Sequence, residues 1–315
     1  MSRLSTEQHK LLTESMIENL FDKNIYTTFD FVQSDIQKLM GATNLSYKDS
    51  IDIKKHLINK NSGILRNGSN YLNNCIKKSS ILPTGIKSID EILGGGILTG
   101  EIYEICGPPA SGKTHFCLTL AKNIINQTNQ NVYFIDTKHK FNFRRYKKIV
   151  LEDNINNQEH IIMAFNKLLI KQISTIHDLI NSLFEIKHEI ENGLNVKVII
   201  IDSLPAILYQ FERTVMVNPF LNHLVNILRF VSVEMHISIV VTNILTKKYV
   251  KWSNNSTEAS FTESIGCGKY WINIPNNRLT FRNELGNEEI QVTLDGSFIS
   301  KIKKCNLKII NNRIS

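Results

Sequence analysis

The chain has 315 residues, 42% of them hydrophobic and 21% charged, enough apolar content to bury a large core and to exclude disorder as the dominant state. Fifteen Gly and six Pro are too few for a fibrous or linker-like protein. Lys and Arg number 37 against 29 Asp and Glu, a formal charge of +8 that either favours an anionic partner, nucleic acid first, or marks a solvated Lys-rich surface.

The amino terminus, MSRLSTEQHK, lacks the apolar run of a secretory signal. Residues 6–21 place Leu11, Leu12, Met16, Ile17, Leu20 and Phe21 at helical spacing. Ser34 opens a second predicted helix carrying Ile36, Leu39 and Met40, with Gly41 as its stop. Residues 46–59 give a third, with Ile51, Ile53, His56 and Leu57 near one face. Together these predict a small all-helical domain over residues 1–60. Residues 61–80, NSGILRNGSNYLNNCIKKSS, are rich in Asn, Ser and Gly without a clean period and read as a linker. Its single aromatic, Tyr71, either docks on a neighbouring subunit or packs back on its own domain.

From residue 81 to 315 strands and helices alternate. Runs at 101–106, 131–136, 196–202 and 237–242 predict strands, and 113–125, 175–191 and 219–235 predict helices. Short Val/Ile runs bounded by helices indicate parallel strands buried on both faces, hence an α/β core with helices on each side of a mostly parallel sheet. From Trp271 onward, strand-like segments at 271–274, 278–282 and 289–294, with turns at Asn276-Asn277 and at 285–287, predict an antiparallel extension of that sheet. The longest apolar runs, 196–201 and 237–241, fall far short of the roughly 20 residues of a membrane span. Cys75, Cys106, Cys117, Cys267 and Cys305 are odd in number and widely spaced, so neither a zinc site nor a disulfide framework is expected. A soluble protein of a reducing, intracellular compartment is expected.

The strongest chemical signal is Gly107-Pro108-Pro109-Ala110-Ser111-Gly112-Lys113-Thr114, which matches G-x-x-x-x-G-K-[ST] at every fixed position and sits between a strand and a helix. Such a loop wraps its backbone N–H groups around phosphate oxygens, and the helix N-terminus adds its positive dipole end. Lys113 is expected to reach the β- and γ-phosphates of a nucleoside triphosphate, and the Thr114 hydroxyl to bind Mg²⁺. Asp202, closing the run Lys197-Val-Ile-Ile-Ile, either holds that Mg²⁺ through water or caps the next helix. His115 is expected to pack rather than to catalyse.

LPTGIKSIDEILGGGILTGEIYEICGPPASGKT (82–114), VKVIIIDS (196–203) and SIVVTN (238–243) resemble the core of the eukaryotic RecA-type recombinases. FDFVQSDIQKLMGATNLSYKDSIDIKKHLI (29–58), TGIKSIDEIL and SIGCGKYWINIPNNRLTF (264–281) narrow the resemblance to the D-type paralogue branch of the Rad recombinase family. It covers nearly the whole chain in order and weakens after about residue 295. The resemblance implies a RecA-like P-loop core, ATP and Mg²⁺ as ligands, ATP at a subunit interface, and assembly on single-stranded DNA during homologous-recombination repair in the nucleus. It implies sister paralogues as partners, the N-terminal domain plus linker holding one and the core another. Paralogues of this kind assist the main recombinase rather than exchange strands themselves.

Two departures from the family pattern bear on mechanism. The strand-exchange enzymes follow the next core strand with an Asp-Thr-Glu-Gly-like sequence whose glutamate positions the attacking water; here Asp136-Thr137 is followed by Lys138 and His139. A cation cannot act as a general base for water at neutral pH, and that activation contributes about 10² to 10⁴ in rate. The glutamine that senses the γ-phosphate in the family is replaced by Ile244, after Thr242-Asn243. ATP is therefore expected to be bound and hydrolysed weakly at best, with no residue assigned as catalytic. Arg145 either stacks on the adenine, as the family's arginine does, or belongs to a solvated basic helix start with Lys147 and Lys148.

Two loops carry the expected DNA contacts. The first, 209–214, contributes Arg213; the second, a long stretch over 246–269 expected to be structureless, contributes Lys247, Lys248, Lys251 and Trp252. The second is either a DNA loop or a solvated surface loop. The KIKK run at 301–304 reads as a solvated strand edge ahead of a nuclear address or DNA contact. The alternative function is an active DNA-dependent ATPase performing strand exchange; Lys138, Ile244 and the lack of a Phe-x-x-Ala anchor in the linker count against it. The helical domain and residues 264–281 count against a third, a clock-type kinase or a protein-acting member of the RecA-like group.

Overall fold

A computed structural model describes residues 3–61, 67–151, 158–209, 217–250, 260–283, 289–296, 302–310 and 313–314. The chain divides into two compact units, Met1–Cys75 and Ile76–Ser315.

The first unit contains α1 (Glu14–Asp22), α2 (Thr28–Gln33), α3 (Ile36–Thr43) and α4 (Tyr47–Asn61). Leu12, Leu20, Ile25, Phe31, Leu39, Ile53 and Leu57 form its core. Residues 6–21 are not one helix: a single 3₁₀ turn, Thr6–Gln8, precedes α1, whose start is set by the Thr13 hydroxyl accepting from the Met16 N–H. The short α2 escaped the periodicity because it spans under two turns, yet it carries a capping box between Thr27 and Asp30. Ser34 closes α2 rather than opening α3, and Gly41 lies inside α3, which stops at Asn44 in the left-handed conformation (φ 56°).

Within the stretch expected to be a linker, α5 (Gly68–Lys78) is helical. Asn67 starts it by accepting from the Ser69 N–H at 2.9 Å. It buries no residue and exposes Tyr71, Leu72 and Ile76.

The second unit begins with β1 (Ile81–Leu82), α6 (Lys87–Leu93) and β2 (Ile97–Leu98), the two strands forming a small antiparallel pair. There follow β3 (Ile102–Gly107), α7 (Lys113–Thr128), β4 (Asn131–Asp136), α8 (Phe143–Leu151), α9 (Gln158–Asn166), β5 (Leu168–Gln172), α10 (Ile176–Glu191), β6 (Val196–Asp202), α11 (Leu204–Leu208) and α12 (Val217–Met235). The remaining elements are β7 (Ser238–Val250), β8 (Ser260–Ile265), α13 (Gly268–Trp271), β9 (Asn277–Asn283), β10 (Glu289–Gly296), β11 (Lys303–Ile310) and β12 (Arg313–Ile314).

Among the described residues the main sheet has the order β12-β11-β10-β9-β3-β7-β6-β4-β5, with β8 paired to β7. The six strands from β9 to β5 run parallel, and β10, β11 and β12 extend the sheet antiparallel. Of the segments predicted to extend it that way, 289–294 does so in β10, whereas 278–282 lies in β9 and joins β3 in parallel. Strand alternation divides the apolar side chains between two cores. Tyr103, Ile105, Phe134, Ile200 and Val240 pack with Phe116, Leu120 and Tyr146 of α7 and α8. Ile102, Ile135, Ile199, Ile201 and Val241 pack with Leu179, Leu183, Leu224 and Leu228 of α10 and α12. Burying both faces is why these strands read as continuous apolar runs. The fold class is therefore α/β with a RecA-like P-loop core and helices on both faces, preceded by an all-helical N-terminal domain.

Two further expectations need correction, and one strand was not anticipated. Residues 271–274 are not a strand: Trp271 ends α13 and is fully buried, its aromatic bulk filling the core instead of lining a pleat. Among the described residues the stretch 246–269 is not structureless, because β7 and β8 form an antiparallel ribbon from Leu245↔Ile265 to Val250↔Ser260. The strand β5 was overlooked because its burial alternates with exposure along five residues, the pattern of a short edge strand. The turn expected at 285–287 lies outside the described residues.

Candidate nucleotide site

The site begins where β3 runs into α7. A Cβ on Gly107 would lie 2.4 Å from the Phe281 carbonyl oxygen and 2.6 Å from Ser111 Oγ, so only glycine fits there. Ala110 (φ 61°) and Gly112 (φ 89°) take left-handed backbone and turn the loop back toward α7. Lys113 folds over its own loop: Nζ donates to the carbonyls of Gly107 (2.8 Å) and Pro108 (2.6 Å) and to Ser111 Oγ (3.2 Å). Burial pulls the Lys113 ammonium below its usual range, and the neighbouring charge of Lys138 adds to this.

This loop forms one wall of a cavity of about 850 Å³, also lined by Asp136, Lys138, Arg145, Asp202 and Ile244. Its size falls within the range of small-molecule sites.

At the opposite wall, Asp202 ends β6, buried and held by three partners. Thr114 Oγ1 donates to its Oδ2 at 2.6 Å, while Thr242 Oγ1 (2.6 Å) and Lys138 Nζ (2.9 Å) both donate to Oδ1. Burial opposes the charge on Asp202, but the Lys138 ammonium and the two hydroxyls outweigh it and hold the carboxyl below its ordinary value.

Lys138 is led to this carboxylate by its backbone. Asp136 and Asp202 are partners in the β4–β6 register. Past them, the Thr137 N–H donates to the Asp202 carbonyl at 3.0 Å. The Thr137 hydroxyl donates to the Ser203 carbonyl at 2.7 Å and accepts from the Ser203 N–H at 2.6 Å. The Asp136 carboxylate curls the next turn by accepting from the N–H groups of Lys138 (3.1 Å) and Phe141 (2.7 Å).

Thr114 and Asp202 are brought together as a magnesium pair would be, and Thr114 is the hydroxyl such an ion would need. Direct ligation of a divalent ion by Asp202 does not fit, however. Asp202 is the one carboxylate hydrogen-bonded to Thr114, its single charge is already matched by Lys138, and both its oxygens are engaged. Among the described residues no group of three or more His, Cys, Asp and Glu side chains could hold a metal elsewhere.

Beyond Thr242, the aliphatic side chain of Ile244 lines the cavity. Its neighbour Asn243 turns into the core, donating to Glu104 Oε1 (2.5 Å) and to the Gly266 carbonyl (3.1 Å). Glu104, with no exposed surface, also accepts from Trp271 Nε1 at 2.7 Å and from Arg278 Nε. Arg278 Nη2 in turn donates to the Ile272 carbonyl at 2.8 Å. This buried network ties β3, β7, α13 and β9 together behind the cavity. The sequence held one signal for it, a glutamate inside the apolar run Ile102-Tyr-Glu-Ile-Cys, since a buried charge demands a partner.

Arg145, on α8, is exposed and lines the cavity, and its Nη2 lies 3.2 Å from Nδ1 of His115. His115 is buried, as expected of a packing residue. Of the expected DNA residues, Arg213, Lys251 and Trp252 lie outside the described residues. Lys247 and Lys248 are on β7, opposite Glu263 and Thr262 of β8, with their side chains outside the description. In the KIKK run, Lys303 Nζ donates to the Ile92 carbonyl at 3.0 Å from the start of β11. All five cysteines are free, and among the described residues no helix is long and apolar enough to cross a membrane.

The family described as ATPase: KaiC matches residues 82–260, more than half of the chain and the whole of this cavity. The chain belongs to the KaiC-type ATPase family. Residues 1–59 of this ATPase match a second family, the RAD51D N-terminal domain, which bears out the D-type resemblance and separates the chain from relatives sharing only the core. It is 26% identical over 279 residues to the DNA repair protein RAD51 homolog 4 of Mus musculus, covering 85% of this chain and 80% of the relative. A probable DNA repair protein RAD51 homolog 4 of Dictyostelium discoideum is 24% identical over 85% of each chain. The DNA repair and recombination protein RadB of Methanosphaera stadtmanae is 30% identical over 63% of this chain and 81% of the relative.

Proposed function

We propose that this KaiC-type ATPase is a nuclear recombinase paralogue of homologous-recombination repair, binding ATP as a conformational ligand and hydrolysing it poorly. One observation carries the reading: the phosphate-binding loop, Gly107 to Thr114, is intact, while Lys138 and Ile244 occupy the wall where water would have to be activated and the γ-phosphate sensed. A lysine ammonium held on a carboxylate is no general base, and an isoleucine makes no side-chain hydrogen bond. Arg145 would stack on the adenine from its place at the cavity.

Single-stranded DNA is the proposed polymer ligand, met by Arg213, Lys247, Lys248, Lys251 and Trp252, because lysines beside an aromatic suit an anionic backbone with stackable bases. Sister paralogues are the proposed protein partners, one held by the helical domain (1–60) and linker (61–80), another by the core (81–315). The exposed Tyr71, Leu72 and Ile76 of α5 support the first contact. In this role the protein assists the strand-exchange recombinase.

The test is ATP binding and ATP turnover on one purified sample, with and without single-stranded DNA. Binding that is strongly weakened in Lys113→Ala, with turnover hardly above background, is expected. Brisk DNA-stimulated turnover would overturn the reading in favour of an active strand-exchange ATPase.

A further inference from the structure

We propose that the Lys138 ammonium takes the charge-neutralising place that a divalent cation would hold, so that this site binds free ATP without magnesium; this rests on the nucleotide reading of the cavity. Lys138 Nζ is 2.9 Å from Asp202 Oδ1, and its side chain, 32% exposed, still faces the cavity that the phosphate-binding loop lines. An ammonium has three donors and no acceptor. One is spent on Asp202, which leaves two for phosphate oxygens.

Charge points the same way. The cavity lining carries Lys113, Lys138, Lys140 and Arg145 against Asp136 and Asp202, so it is net cationic without a metal ion. A divalent ion on Asp202 would have to displace Lys138 or sit beside it, in a buried place where like charges are poorly screened. A triphosphate tail carrying its own negative charges meets no such conflict. It would receive the N–H groups at the start of α7, Lys113 from one side and Lys138 from the other.

Nor is Lys138 a stray surface lysine. The Thr137–Ser203 hydrogen bonds and the Asp136 turn fix the backbone on both sides of it, so it is delivered to Asp202 by the joined ends of β4 and β6. Thr242, donating to the same Oδ1, holds the carboxylate from the β7 side.

Isothermal titration of the full chain with ATP, once in excess EDTA and once in millimolar MgCl₂, tests this. The unmodified protein is expected to bind with affinities within about threefold of each other in the two buffers, well under one decade of affinity. Lys138→Gln is expected to lose about tenfold or more in EDTA and to recover most of it in MgCl₂. Lys138→Arg, which keeps the charge, is expected to follow the unmodified protein. Binding by the unmodified protein only when magnesium is present would overturn the proposal and leave the nucleotide reading standing, as would a Lys138→Gln protein that binds normally in EDTA. Absence of binding in both buffers would overturn the nucleotide reading and this proposal with it. If Lys138→Gln does not fold, the unmodified protein and Lys138→Arg in the two buffers still decide.

Discussion

One wall of the cavity is built from a loop whose every fixed position serves phosphate binding: Gly107 because no Cβ fits, Gly112 because the backbone turns left-handed, Lys113 because its ammonium has three oxygens to lean on until phosphate replaces them. The other wall has the same backbone frame, the ends of β4, β6 and β7, but carries Lys138 and Ile244 where water would have to be handled. Under the proposed function, the difference makes holding a triphosphate and cleaving it separable demands. The first depends on one continuous stretch of chain, whereas the second would depend on side chains at the ends of three strands.

The largest expected effect concerns the frame behind the second wall. Glu104→Gln breaks a fully buried ion pair with Arg278, and removal of one partner of such a pair costs about 3–5 kcal/mol. Chemical denaturation should show that loss, and a stability unchanged within error would mean that the network behind the cavity does not matter. Next comes the first wall: Lys113→Ala should weaken ATP binding by about 1.5–3 kcal/mol, the range for hydrogen bonds to a charged group. Equal binding of ATP by the variant would mean that the intact loop is not the phosphate site.

A smaller effect lies in acid. Because the Asp202 carboxyl is held below its ordinary value of 3.8, it contributes stability that is fully present above that value and is lost as pH falls through its folded-state value. Urea midpoints taken from pH 5 downward should therefore fall more steeply for the unmodified protein than for Asp202→Asn, and parallel curves would show that Lys138 and the two hydroxyls do not stabilise the charge. The smallest effect expected is a gain. Lys138→Glu combined with Ile244→Gln returns a carboxylate and a polar group to the second wall, and turnover should rise by no more than about 10²-fold, the low end of what general-base assistance contributes. No rise at all would place the catalytic deficit elsewhere than in these two side chains.

Much of this was legible in the residues. Buried parallel strands announce themselves as short Val/Ile runs because both faces are covered, and the phosphate loop is a local motif with fixed spacing. The antiparallel extension was legible only in part: residues 289–294 alternate and form β10, whereas 278–282, in β9, pairs with β3 in parallel, which no local pattern reports. The first helical segments were less so. Capping at Thr13 and the capping box at Thr27 decide where those helices begin, and a hydrophobic period does not see caps. The ribbon of β7 and β8 was missed because Lys, Asn and Ser dilute a pattern that only cross-strand pairing completes.

The sequence by itself determined the two-part organisation, the α/β class of the core and the intact phosphate loop, and its resemblance to the recombinases marked Lys138 and Ile244 as departures. Each of these is written in neighbouring residues or in one residue type at one position. Only the tertiary structure decided where the Lys138 ammonium goes. Lys138 and Asp202 are 64 positions apart, and their pairing at 2.9 Å exists because β4 and β6 lie side by side in register and end together. Likewise, Glu104 finds Asn243, Trp271 and Arg278 only once β3, β7 and β9 are neighbours in the sheet. Charge pairing across strands depends on register, and register is set by the packing of the whole sheet rather than by any local run of residues.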